Sequence, residues 1–428
     1  MERSLSINGR KGLSSVINKN ILIICSDLES DSDANGICIK NIIRALPKGI
    51  KIYILSETLN NKRKNVYDNN VKIYFIPAPL LKRLRAKNTG LGRIAYHAFL
   101  AAHRVFGLVL YPDVSKIRSL KVRHIAKEII KTENIGIVIG AYRPFESIHS
   151  LLYLKKEFNG ITSIAYHLDL LLEPNTSNWI IKKYKNWKSN RVITKEFSEL
   201  DAIILPESER HKYSESKTKI KFAGFPLYIK NEEGTCDFEF SNNTINIVYI
   251  GTLDSNNRNP ERFLKSIETI KVNGKKVMLH LWGALADENI KIIISQYSCV
   301  VHHGMLENKS VYPVLKKSDL LLNVSNANTF NMVPSKIFQQ FSTGKGIINL
   351  YYDERDKSLQ YFTRYRHSLS LNNNNIDNNN HLLQKWIEEN YGKTFTEDSD
   401  FTMFTPEYFV NIVDQINSEC EHEKGVLI

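Results

Sequence analysis

"VPSKIFQQFSTGKGIINL", Val333 to Leu350, reads as a helix start, a short helix, a stop and a buried strand. Pro334 suits the first turn, where its missing N–H would have had no partner, and Ser335 can cap orphan amides. The helix should run through Phe341 and stop near Gly344, which can take the left-handed conformation. Lys336 does not fit a plain αβ unit. It stands in the first turn, where the helix dipole disfavours a cation. An anion bound at the same place would account for it.

Outward from this stretch, apolar β-branched runs alternate with amphipathic segments. "NILIIC", "IKIYIL", "VKIYFI", "IGIVIG", "ITSIAY" and "DAIIL" read as strands of one unit. "INIVYI", "VMLHLW", "CVVHH", "DLLLNV" and "GIINL" read as strands of a second. Near-continuous hydrophobicity points to parallel strands buried on both faces. The class is α/β, with two doubly wound Rossmann-like domains. The break falls in the polar, turn-rich "GFPLYIKNEEGTCDFEFSNNT", residues 224–244. This gives a disordered tail over 1–18, a first domain over 19–230 and a second over 231–428, whose last helix can pack back on the first. "LNNNNIDNNNHLL", residues 371–383, reads as a tolerated surface insertion.

Of the 428 residues, 42% are hydrophobic and 24% charged, an ordinary globular composition. There is no run of eighteen apolar residues to span a membrane, and the N-terminus lacks the apolar core of a signal peptide. The five cysteines, Cys25, Cys38, Cys236, Cys299 and Cys420, are scattered without metal-ligand spacing, which suits a reducing cytoplasm. Charge is uneven. Residues 80–131 hold twelve Lys or Arg against Asp113 and Glu128, a net +10 of the chain's +13. With Leu, Tyr and Phe interleaved, this segment suits an anionic membrane surface at the inner face of the cell membrane. No nucleic-acid motif is present.

Ligands of open α/β sheets bind beyond the carboxyl ends of the strands. After "INIVYI" comes "GTLDSNNRNPERFL", in which Gly251 permits a close backbone approach and Arg258 precedes a helix opened by Pro260. After "DLLLNV" comes "SNANTFNMVPSK", leading to Lys336. Arg258 and Lys336 can therefore converge on a diphosphate.

At this point the sequence resembles a family. "VYIGTLDSNNRNPERFL", "HHGML", "YPVLKKSDLLLNVSN" and "VPSKIFQQFSTGKGII" are similar to motifs of the GT-B glycosyltransferases, in particular the retaining family 4 group. "DANGICIKNIIRAL", "SIAYHLD" and "EFSELDAIIL" extend the resemblance over the first half, so that it covers about residues 20–348. It implies GT-B architecture, two domains facing a cleft, and hexosyl transfer from a nucleotide-diphosphate sugar, a uridine diphosphate sugar above all. The acceptor would be a glycan or a polyprenyl-linked sugar of surface polysaccharide synthesis. The resemblance places catalysis at His167, Asp169, Arg258 and Lys336. It places donor binding at Gly36, Gly251, Thr252, Arg258, His303, Gly304, Asn331, Met332, Val333, Lys336 and Gln339. No cofactor or metal is implied. The Asp31–Asp33 triplet recurs by chance at Asp398–Asp400 and reads as loop and cap residues.

The chain departs from the family at two positions. Gln339 and Asn331 stand where the family often carries glutamates, on the donor ribose and donor sugar respectively. An amide still bonds a hydroxyl but loses the charge-assisted part, on the order of 1 kcal/mol. Two rivals therefore stand beside the transferase: a non-catalytic partner subunit of the same fold, and a nucleotide-sugar epimerase.

Overall fold

The computed structural model describes residues 17–26, 28, 34–59, 66–68, 70–86, 93, 96–97, 99–100, 107–113, 115–142, 144–168, 178–213, 219–229, 236–330, 333–396 and 399–426. The chain divides into two compact units, Met1–Ala223 with Glu407–Ile428, and Gly224–Pro406.

The first unit holds β1 (Asn20–Ile24), α1 (Ala34–Ala45), β2 (Ile52–Thr58), β3 (Val66–Asp68), β4 (Val71–Pro77), α2 (Leu80–Ala86) and α3 (Lys116–Thr132). It continues with β5 (Ile135–Tyr142), α4 (Glu146–Glu157), β6 (Thr162–His167), α5 (Trp179–Glu199), β7 (Ala202–Pro206) and β8 (Ile220–Ala223). The strand order is β3-β4-β2-β1-β5-β6-β7-β8, parallel throughout except for β3 against β4. Strands such as "IGIVIGAY" are buried on both faces, because a helix layer covers each side of a parallel sheet. Polar side chains start the helices: Ser115 Oγ accepts from the Arg118 amide, and Asn178 Oδ1 from the amides of Ile180 and Ile181.

The second unit holds β9 (Thr244–Ile250), α6 (Glu261–Thr269), β10 (Lys271–Val272), β11 (Lys275–Trp282), α7 (Glu288–Ser295), β12 (Val300–His302) and α8 (Asn308–Lys317). It continues with β13 (Leu320–Val324), α9 (Lys336–Phe341), β14 (Gly346–Tyr351), β15 (Ser368–Asn372) and α10 (Asn380–Asn390). The order is β10-β11-β9-β13-β14-β15, with β12 also on β11. The chain winds outward from β9 to β11 and β12, then returns to β13 on the other side of β9. The β9/β13 boundary is thus the switch point, where the crevice of a doubly wound sheet opens.

Three expectations are corrected. The asparagine-rich stretch is not a surface insertion. It forms a 3-10 turn, Asn373–Asn379, running into α10, because Ile376 and Leu383 are fully buried in the core of the second unit. Ile17, inside the expected tail, is 2% exposed, so packed chain begins before residue 19. The +10 of residues 80–131 is partly neutralised. Arg118 is buried between Glu57 (3.2 Å) and Glu146 (3.5 Å), Lys82 also pairs with Glu57, and Lys127 pairs with Glu157. Among the described residues no helix is long and apolar enough to cross a membrane.

Candidate functional site

Two loops meet at the switch point of the second unit. The loop after β9 folds on itself through reciprocal backbone bonds between Asp254 and Arg258, and Asp254 Oδ1 also accepts from the Asn257 amide. The loop after β13 is laced to it by asparagines. Asn326 Oδ1 accepts from Arg258 Nε at 2.7 Å and from Asn257 Nδ2 at 3.1 Å. The Ala327 amide donates to the Asn257 carbonyl, and the Asn328 amide to Asn257 Oδ1. Tyr352 Oη donates to the Asn259 carbonyl and accepts from the Asn259 amide. The guanidinium of Arg258 is thereby aimed by neutral groups.

Lys336 opens α9 ten residues beyond Asn326. The residue as a whole is exposed, yet its pKa is lowered, first by desolvation and then by the charge of Arg258. Among the described residues neither cation has a carboxylate at ion-pair distance. Two like charges held together without a counterion make a place for an anion. Ser335 has helical backbone angles and makes no capping bond, contrary to expectation, because a capping side chain needs an extended backbone. Gly344 takes the left-handed stop as expected, at φ +69°, and its amide donates to Phe341.

Gly251 has a packing reason for being glycine. A Cβ there would lie 2.8 Å from Tyr249 Oη, and one on Gly283 would lie 2.0 Å from the Gly251 carbonyl oxygen. Tyr249 Oη donates to the carbonyl of exposed Thr252. Burial pushes the Tyr249 phenol up to about 12, with Arg258 opposing. It stays neutral beside the arginine.

Beyond β12, His303 lies flat on Trp282, with ring centres 4.3 Å apart, and bonds His280 Nδ1 through Nε2 at 3.0 Å. Phe238 meets His303, His280 and Trp282 edge-on. Burial, then His303, lowers the pKa of His280 to about 4, and burial, then His302, lowers that of His303. Both imidazoles are held neutral. Gly304 follows at φ +78°, with open space where a Cβ would be. Val333 and Gln339 are half-buried beside Lys336 in sequence.

Other expected site residues fall elsewhere. Gly36 lies in the first turn of α1, buried, instead of in the preceding loop, because that helix starts at Ala34. His167, at the end of β6 in the first unit, is fully buried. Its Nε2 is 2.7 Å from Glu196 Oε2 of α5, and its ring leans on Tyr142. An imidazole so enclosed is a positioning group, not an open one. Asp169, Asn331 and Met332 lie outside the described residues, as do Asp31, Asp33 and Arg143. Asn257, Asn326, Tyr249, His280, Trp282 and Glu196 were missed by sequence reasoning. Only Asn257 and Asn326 had a signal, being polar residues next to the cations in loops after buried strands.

No protein-family profile matches the chain, and no curated protein sequence matches it. Solved structures do. An E. coli structure described as trehalose-6-phosphate bound with UDP-2-fluoro glucose superposes with a TM-score of 0.53 at 11% identity, over 95% of this chain and 98% of that one. The putative UDP-N-acetylglucosamine 2-epimerase from Listeria monocytogenes gives 0.55 at 11%, over 94% and 97%. The glycotransferase of kitacinnamycin gives 0.51 at 9%, over 93% and 99%. At such identities the likeness concerns the fold, which is that of the GT-B glycosyltransferases.

Proposed function

We propose that this chain, a GT-B fold protein, is a glycosyltransferase whose second unit binds a nucleotide-diphosphate sugar. The observation that carries the reading is the uncompensated pair Arg258 and Lys336 at the β9/β13 switch point. A diphosphate supplies the missing negative charge there. When the anomeric bond breaks, charge builds on the leaving diphosphate, and preorganised cations stabilise it more in the transition state than before. The acceptor hydroxyl passes its proton to the departing phosphate, so the protein supplies position more than a strong base. Because side chains carry the positive charge, transfer should survive a chelator. The flat His303–Trp282 stack supports a nucleobase, and the E. coli neighbour bound with UDP-2-fluoro glucose supports uridine.

The finer parts belong to the same reading. The sugar is a hexose transferred with retention to a glycan or polyprenyl-linked acceptor held by the first unit, in surface polysaccharide synthesis at the cytoplasmic face of the membrane. The Glu196–His167 pair fixes the end of β6. An epimerase is the second reading, favoured by the Listeria neighbour. A non-catalytic partner subunit is the third, favoured by the amide at Gln339.

The deciding experiment incubates the purified chain with a panel of nucleotide sugars and monitors melting, donor cleavage and proton exchange at the sugar ring. A ligand at one hundred times its dissociation constant stabilises by about 2.7 kcal/mol. Stabilisation with sugar release or transfer, unaffected by EDTA, supports the transferase. Loss with EDTA and recovery with manganese would instead promote Asp31 and Asp33. Deuterium uptake at a ring carbon without release identifies an epimerase, and binding with neither indicates the partner subunit.

A further inference from the structure

The solvent face of α5 is the most unusual surface of the first unit. Trp179 is 71% exposed, Ile180 60%, Trp187 57% and Tyr184 38%. At 100° per residue these four fall within one arc of the helix, together with Lys183 and Arg191. The opposite face is the packed one, where Ser189 is 2% exposed and Glu196 is fully buried. The aromatic residues are thus displayed to solvent by a helix whose register is fixed by its core side.

Charge accompanies them. From Trp179 to Lys195 the helix carries Lys182, Lys183, Lys185, Lys188, Arg191 and Lys195 and no acid. Lys188 lies over Tyr184 and Arg191 over Trp187. Lys188 also donates to the carbonyls of Leu108 and Val109, and Lys185 lies over Tyr111. This sets exposed Val109 beside the Lys188 edge of the helix.

We propose that this face of α5, with Val109 beside it, seats the protein on an anionic lipid bilayer. The combination decides between occupants. Protein-contact surfaces bury aromatic residues but are depleted in lysine at their centres. A headgroup layer accepts both. Trp and Tyr rings settle at its apolar boundary while lysine stems extend and their ammonium groups stay among the phosphates. Lys183, Arg191 and Lys195, on or beside the aromatic arc and without an acid among them, complement a negative leaflet. The surface lies in a different unit from Arg258 and Lys336, so it stands or falls separately from the nucleotide reading.

The test uses the full chain and vesicles of equimolar phosphatidylglycerol and phosphatidylcholine, with pure phosphatidylcholine as the control. Wild type should co-sediment with the anionic vesicles only, and less as salt rises. Trp179→Ala with Trp187→Ala, and separately Lys183→Gln, Arg191→Gln and Lys195→Gln together, should each lower the partition by roughly tenfold or more. Brominated lipid should quench wild-type tryptophan fluorescence and leave Trp179→Phe/Trp187→Phe unquenched. These side chains are exposed, so melting temperature and nucleotide binding should stay unchanged. Absence of sedimentation at low salt overturns the proposal. Equal partition of the variants overturns it too, as does binding without quenching of Trp179 and Trp187. Self-association through this face without lipid binding would assign it to a second copy and overturn it equally.

Discussion

Replacing Lys336 by methionine should move two properties in opposite directions. The methionine keeps the stem and removes the ammonium. On the proposed reading that ammonium would make a charge-assisted bond to the nucleotide, worth about 1.5–3 kcal/mol. At about 1.4 kcal/mol per decade, Lys336→Met should weaken uridine diphosphate binding roughly 10- to 150-fold. In the free protein the ammonium is a burden, because desolvation and then Arg258 lower its pKa below the ordinary 10.5. A lysine whose folded pKa is below its unfolded one costs stability at every pH where it is protonated in both states. The cost disappears as pH rises past the unfolded value. Lys336→Met should therefore melt higher than wild type at neutral pH, with the gain shrinking toward pH 10.5. The gain is small, because the residue as a whole is exposed. Titration calorimetry reads the affinity and scanning calorimetry the melting point. Wild-type affinity in the variant, or a lower melting point at neutral pH, would refute the idea that Lys336 is kept for an anion.

The remaining predictions concern neighbouring groups. Asn326→Asp should pair with Arg258, now 2.7 Å from the amide oxygen, and weaken nucleotide binding at least tenfold by competing with the diphosphate; unchanged calorimetric affinity would count against the site. His280, its pKa lowered to about 4, is neutral when folded, whereas the unfolded imidazole takes a proton below about 6.5. Its contribution is present above pH 6.5 and lost as pH falls toward 4, on the order of 3 kcal/mol. Urea denaturation should therefore show a shallower acid loss for His280→Asn than for wild type, and parallel curves would contradict this. Glu196→Ala should cost about 1–3 kcal/mol by stranding the buried His167 Nε2, and Glu196→Gln, which still offers an oxygen, should cost less in the same assay.

The sequence was most legible where one physical signal dominated. Runs such as "INIVYI" and "DLLLNV" need burial on both sides, and each became an inner strand of a parallel sheet. Short or polar edge strands, β10 with two residues and the alternating "SLSLN" of β15, carry too little apolar pattern to be seen. The asparagine run misled because composition averages over position. One isoleucine and one leucine inside it decide where it packs. Arg258 and Lys336 were legible as cations in loops after buried strands. Their clamp was not, since nothing in a string of asparagines tells which amide meets which guanidinium. His167 was legible as a strand-end histidine, but its closure by Glu196, twenty-nine residues on, depends on how α5 packs. The basic count over residues 80–131 overstated the available charge, because pairing with Glu57, Glu146 and Glu157 is a tertiary property.

The asparagine clamp has a chemical logic of its own. On the proposed reading, an arginine that is to take a diphosphate must be held in direction without being satisfied in charge. A carboxylate would hold it better and neutralise it, so an incoming phosphate would first have to displace an ion pair. Asn326 fixes Nε through one oxygen and leaves the positive charge whole. The nearest phenol, Tyr249, is kept protonated by burial, so it does not become a competing anion. Asn257 secures Asn326 from the other side, and Asn328 secures Asn257. Each partner is neutral. The same neutrality extends to the stacked imidazoles of His280 and His303, both held unprotonated by burial. Apart from Asp254, whose carboxylate accepts from the Asn256 and Asn257 amides, the switch point surrounds these two cations with groups that orient but do not compensate. This is the arrangement that lets a charged ligand supply the largest stabilising interaction.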